Sequence, residues 1–151
     1  MSGPLAHVGP NVPQDLLRAT GRHVGPLRFD PDRPTPRADQ WMDWHHTTYG
    51  PAVRNAFWGL IRTPAEQRDA QAIDQSARNT GEVMRMLDAH LASHRYVAGD
   101  AFSMGDIPMG VGTWRWYALP IERPALPNVQ RWFDLLAQRD AFRKAVMHPL
   151  T

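Results

Sequence analysis

The sequence predicts an all-α fold, a bundle of about five helices preceded by a proline-rich arm. Three observations carry that expectation. Apolar residues recur at alternating spacings of four and three, most cleanly at Ile73, Ala77, Thr80, Met84, Leu87 and Leu91, the mark of one buried helix face. No segment shows the apolar–polar alternation and turn chemistry of strands. Half of the fourteen prolines lie between Met1 and Pro36, where large apolar residues are few.

Each element follows in chain order. Proline fixes its own φ and biases the preceding residue away from helix. Residues 1–36 therefore read as an irregular arm, with one short helical turn around Asp15 to Thr20 and RFDPDRPTPR as a linker. Residues 37–151 form the helical domain. Its first helix, ADQWMDWHHTTYGPAVRNAFWGLIR, places Trp41, Trp44, Thr48 and Ala52 on one stripe that Val53, Phe57 and Leu60 continue. Pro51 removes a backbone bond inside it, so a kink is expected near Gly50. The second helix carries the seam from Ile73 to Leu91. Ile107, Val111, Trp114 and Ala118 mark a third, which LPIERPALP stops. Val129, Trp132, Phe133 and Leu136 mark a fourth, and Phe142 and Val146 a short last helix from Ala141 to Met147.

The bulk numbers exclude several classes. At 151 residues the chain is long enough for one domain with its own core. Net charge is +2, and arginine clusters such as RTPAEQRD are broken by acids, which argues against a nucleic-acid surface. There is no cysteine, so disulfides, thiolate metal sites and a cysteine nucleophile are out, in keeping with a cytoplasmic setting. No run approaches the roughly 18 apolar residues of a membrane span. The start, MSGPLAHVGPNVP, lacks the pattern of a signal peptide.

The stretch YVAGDAFSMGDIPMG, Tyr96 to Gly110, is organised around a helix start. In its S-x-x-D pattern the Ser103 hydroxyl is expected to accept from the Asp106 amide, and the Asp106 carboxylate to reach back to the Ser103 amide, a capping box with a short acid. Phe102 and Ile107 then stand at the two positions of a hydrophobic staple. The carboxylate also lies at the positive end of the helix dipole. A catalytic pairing of Ser103 with Asp106 is the weaker reading, since no histidine is near in sequence and the cap occupies both side chains.

YVAGDAFSMGDIPMG followed by PALPNVQRWFDLLAQRDAF resembles the C-terminal helical domain of glutathione S-transferases, with its segments in the expected order from Arg37 to Thr151. Gly105 stands where alanine is usual, and Asp140 replaces the common proline after Arg139. DQWMDWHHTTYGPAVRNAFW is similar to the first helix of theta-like and related bacterial members. The resemblance implies that Trp58 lines the electrophile pocket and that His46, with Thr47, lies near the dimer cleft, close to glutathione bound by a neighbouring subunit. An arginine that assists substrate in theta-like members falls at Gly50 here. If a pocket survives, Thr47, Arg54, Trp58 and Thr113 are the residues expected to shape it for a hydrophobic electrophile. None is a nucleophile or general base.

A whole transferase of this family binds its co-substrate, glutathione, in a thioredoxin-like domain that lowers the thiol pKa. Residues 1–36 show no β-α-β pattern and no Glu-Ser pair; at most LLRATGRHVGPLRF resembles the end of that domain's last helix. The expectation is a truncated or split transferase-like chain, inactive alone, that pairs as a homodimer or with a thioredoxin-like partner domain. The alternative is a non-enzymatic helical module for protein interaction.

Other clusters weigh less. His90 and His94 share a helix face but lack a third metal ligand and the H-E-x-x-H glutamate, so no cofactor or metal is expected. Trp41, Trp44, Trp114 and Trp132 read as core, and MGVG, Met109 to Gly112, as close helix contact rather than a phosphate loop.

Overall fold

In a computed structural model the described residues are 35–150. The described residues all lie within one compact unit, residues 33–151. The expectations for the arm, including the turn at Asp15 to Thr20, lie outside them. Among the described residues the architecture is all helical, with a single isolated bridge between Tyr96 and Gly99.

The first helical rod is continuous. It runs as α1 (Thr35–Trp44), a π turn (His45–Tyr49), α2 (Gly50–Phe57) and a second π turn (Trp58–Arg62). The expected kink near Gly50 takes the form of that first wide turn. Pro51 has no N–H and its ring crowds the carbonyl four residues back. A wider turn just upstream relieves the crowding, and the Gly50 amide donates to the His45 carbonyl, five residues back. The second π turn ends where the Thr63 amide donates to the Trp58 carbonyl at 3.0 Å. Arg68 then caps two free carbonyls, Thr63 at 3.1 Å and Leu60 at 2.9 Å.

After a 3-10 turn at Ala65–Gln67, α3 (Ala70–Leu91) starts on the Asp69 side chain, which accepts the Ala72 amide at 2.9 Å. Its seam is buried at Thr80, Met84, Leu87 and Leu91, while Ile73 and Ala77 are half-buried. Ser76 joins α3 to α2 by inserting into the α2 ladder. It takes the Ala56 amide at 3.0 Å and donates to the Ala52 carbonyl at 2.5 Å.

Helix α4 (Asp106–Ala118) corrects the sequence reading. Ile107 is 48% exposed and Ala118 is exposed; the buried face is Met109, Gly110, Gly112, Thr113 and Trp116. Glycines make that face possible. A Cβ on Gly110 would stand 2.7 Å from Leu136 and 2.8 Å from Phe142, and one on Gly112 would stand 2.7 Å from the Tyr49 ring. Backbones approach there at distances no side chain allows.

Helix α5 (Pro127–Ala137) buries Val129, Trp132, Phe133 and Leu136, and α6 (Asp140–Val146) buries Phe142. The first amides of α5 are satisfied from another helix: the Asp88 carboxylate of α3 accepts Asn128 N–H at 2.8 Å and Val129 N–H at 2.9 Å. Of the six tryptophans, Trp132 and Trp116 are fully buried, Trp41, Trp44 and Trp114 are half-buried, and Trp58 is 59% exposed.

The Ser103–Asp106 cap also differs from the expected box. Asp106 is fully buried, and its carboxylate accepts the Ser103 amide at 2.8 Å. The Ser103 hydroxyl donates to that same carboxylate at 2.9 Å instead of accepting from the Asp106 amide, which goes to the Ser103 carbonyl at 3.2 Å. A carboxylate is the stronger acceptor, so the hydroxyl turns toward it. The expected staple is replaced as well: Ile107 faces outward, while Phe102 lies edge-on to Tyr96 and 3.9 Å from the Arg139 guanidinium.

Candidate functional site

The first rod carries Arg54 and Trp58 one turn apart, so their side chains share a face. That face meets α4 where Gly112 lets the two helices close in. Between them lies a cleft of about 270 Å³ lined by His45, Tyr49, Val53, Arg54, Phe57, Trp58 and Arg115, with Gly50 and Gly112 at the backbone contacts.

Its floor is apolar and its rim is cationic. Tyr49 is buried and its hydroxyl donates to the Gly112 carbonyl at 2.6 Å. Burial holds this phenol protonated well above its ordinary pKa, so Tyr49 is neither a base nor a phenolate nucleophile near neutrality. His45 stacks on the Tyr49 ring with centroids 5.2 Å apart. Burial, then the charge of Arg115, then that of His46, lowers the His45 pKa and keeps the imidazole neutral. The Arg115 guanidinium lies 5.7 Å from the Phe57 ring centroid, within cation–π range.

Two of the four pocket residues read from sequence, Arg54 and Trp58, meet in this cleft. Thr113 does not: it is fully buried on α4 and its hydroxyl donates to the Met109 carbonyl at 2.8 Å. Thr47 is exposed and its hydroxyl is engaged with the Asp43 carbonyl at 2.7 Å. His46 is exposed beside it and does not line the cleft. Sequence reading missed His45, Tyr49 and Arg115. The first two were visible as neighbours of His46 on the same helix; Arg115 had no local signal, because it comes from α4.

A second cleft shares Phe57 and Arg115 and adds Arg62, Trp114 and His148. The Trp114 indole donates to the His148 carbonyl at 3.1 Å and ties the C-terminal segment to α4. His90 and His94 stack at 4.1 Å, with His90 bonded to the Val97 carbonyl at 2.8 Å and His94 to the His90 carbonyl at 2.9 Å. Among the described residues no three His, Asp or Glu side chains gather as a metal site would require, and no helix is long and apolar enough to cross a membrane.

A family model described as "Glutathione S-transferase, C-terminal domain" matches residues 37–140. Glutathione S-transferase GstB of Escherichia coli K12 is 36% identical over 138 residues, covering 90% of this chain and 66% of that protein. Glutathione S-transferase 3 of Zea mays is 34% identical over 119 residues, 73% of this chain and 52% of that one. Among solved structures, the theta-class glutathione S-transferase of Xanthomonas axonopodis pv. citri with glutathione bound superposes with a TM-score of 0.75 at 41% identity. That match covers 78% of this chain and 62% of the other. The chain thus spans less than two thirds of the length of each of these relatives.

Proposed function

The chain belongs to the family of glutathione S-transferase C-terminal domains, and from that premise we propose that the cleft between the first rod and α4 is the electrophile side of a glutathione-transferase site. The observation that carries this reading is the convergence of Trp58, Phe57 and Val53 on one opening, over a floor whose Tyr49 phenol is held protonated by burial. Such a cleft binds and orients. In the reaction it serves, the thiolate sulfur of glutathione attacks the electrophilic carbon, a C–S bond forms, and the leaving group departs with the bonding pair. Thiol activation belongs to a thioredoxin-like domain, in a partner or in further chain, and the active assembly is a cytoplasmic homodimer in which His46 and Thr47 stand near the glutathione of the neighbouring subunit.

These 151 residues alone do not catalyse conjugation under this reading. The test is the rate of thioether formation from glutathione and 1-chloro-2,4-dinitrobenzene with homogeneous protein. The expected rate equals the uncatalysed one, and a rate well above it overturns the proposal. Binding supplies the positive arm: an uncharged nitroaromatic ester should bind the chain and lose roughly tenfold in affinity in Trp58→Ala. If glutathione resin retains the chain when a thioredoxin-like partner domain is added, with conjugating activity restored, transferase use is favoured over the protein-interaction module.

A further inference from the structure

The cleft holds two guanidinium groups and no carboxylate. Arg54 comes from the first rod, Arg115 from α4 across the opening, and none of the nine lining residues is acidic. The ion pairs among the described residues join Arg78 to Asp74, Arg85 to Glu82 and Arg143 to Asp140, so neither cleft arginine is neutralised there. The adjoining cleft repeats the pattern: it adds Arg62 and again no acidic side chain. The charge of Arg115 reaches inward, since it contributes to holding the His45 imidazole below its ordinary pKa, after burial.

Arginine in such a place has a chemical meaning. Its planar fork matches a carboxylate with two parallel hydrogen bonds, and both arginines stand exposed at the rim, where an incoming carboxylate can reach them. The floor itself takes a ring. A cavity of about 150 Å³ accommodates benzene, so the 270 Å³ here holds one aromatic ring with a charged substituent. The Trp58 and Phe57 rings supply faces for stacking, with Arg115 already set against Phe57.

We propose that the cleft selects aromatic acids: electrophiles whose ring sits among Val53, Phe57 and Trp58 and whose carboxylate is held by Arg54 and Arg115. This deepens the reading of the cleft as an electrophile pocket and rests on it.

The test compares 4-nitrobenzoate with its uncharged methyl ester, titrated into the 151-residue chain by calorimetry at low ionic strength. The acid should bind roughly tenfold more tightly. That preference should shrink as salt is raised to screen the contact. In the double variant Arg54→Gln, Arg115→Gln, checked for unchanged helicity by circular dichroism, the preference for the acid over the ester, both titrated into that same variant, should disappear. If the double variant unfolds, the single variants carry the comparison, each expected to lose part of the preference. Equal binding of acid and ester, or a preference that survives loss of both arginines, overturns the selection for acids and leaves the electrophile pocket standing. Failure of both ligands to bind removes the pocket reading and this inference together.

Discussion

The Asp106 carboxylate accepts the Trp132 indole N–H at 2.8 Å, a side-chain bond that spans 26 residues and fastens the start of α4 to the middle of α5. The same oxygen accepts the Val97 amide at 3.0 Å, and the other takes the Ser103 amide and hydroxyl. One buried carboxylate thus closes a loop, caps a helix and docks its neighbour.

Asp106→Ala strands the Val97 amide and the Trp132 indole N–H in the interior and takes the acceptor from the two half-buried Ser103 donors. Each buried unsatisfied donor costs about 1–3 kcal/mol, so a loss of at least about 3 kcal/mol is expected. Ser103→Ala removes only the hydroxyl, and its amide still reaches the carboxylate; a loss of about 1 kcal/mol is expected. Urea unfolding of both variants measures the difference. Similar midpoints for the two would contradict a shared hub at Asp106.

Glycines at two helix positions should respond in opposite directions to alanine. At Gly81, inside α3, an added Cβ meets Pro124 at 3.5 Å, ordinary contact, so Gly81→Ala should stabilise by about 0.5–1 kcal/mol through helix propensity. At Gly110 the same methyl would lie 2.7 Å from Leu136 and 2.8 Å from Phe142, both buried, so Gly110→Ala should destabilise by about 1–3 kcal/mol. Thermal midpoints moving the same way would sink this account of α4 packing.

Stability should fall between pH 7.5 and pH 5.5. His45 and His90 both have pKa values lowered chiefly by burial. The unfolded chain therefore binds more protons than the folded one just below their ordinary pKa of about 6.5. The stabilisation they supply is present above that value and is lost as pH drops toward the folded values. Urea midpoints across this range give the slope, and His45→Gln should flatten it. An unchanged slope in that variant would mean His45 is not titrating against burial.

The alkaline side carries the opposite sign. Burial raises the Tyr49 phenol, and burial with the nearby Asp134 charge raises Tyr117 to about 12. Their contribution is complete below the ordinary phenol pKa of about 10 and is lost as pH climbs from there through the folded values. Tyr49→Phe should reduce the alkaline sensitivity while costing about 1 kcal/mol near neutrality for the lost bond to Gly112. Unfolding monitored at pH 8 and pH 11 tests both parts.

Legibility followed the number of faces a helix buries. Helix α5 packs one side only, and its four apolar residues at three–one–three spacing are the buried ones. Helix α4 lies among α1, α5 and α6 partners, so its buried face includes Gly110, Gly112 and Thr113, which hydropathy does not mark, and leaves Ile107 outside. The cleft divides likewise. Arg54 and Trp58 share a turn and were readable together, whereas Arg115 joins them only through tertiary packing.

Local chemistry along the chain was enough to determine helices, their order, the acid at the α4 start and the family to which residues 37–140 belong, because periodicity and capping act within a few residues of each other. The orientation of α4, the four-way bonding of Asp106 and the pairing of two arginines over an apolar floor were decided by the tertiary structure. Those features depend on how closely helices distant in sequence approach, and the approach is set by the volume of every side chain between them.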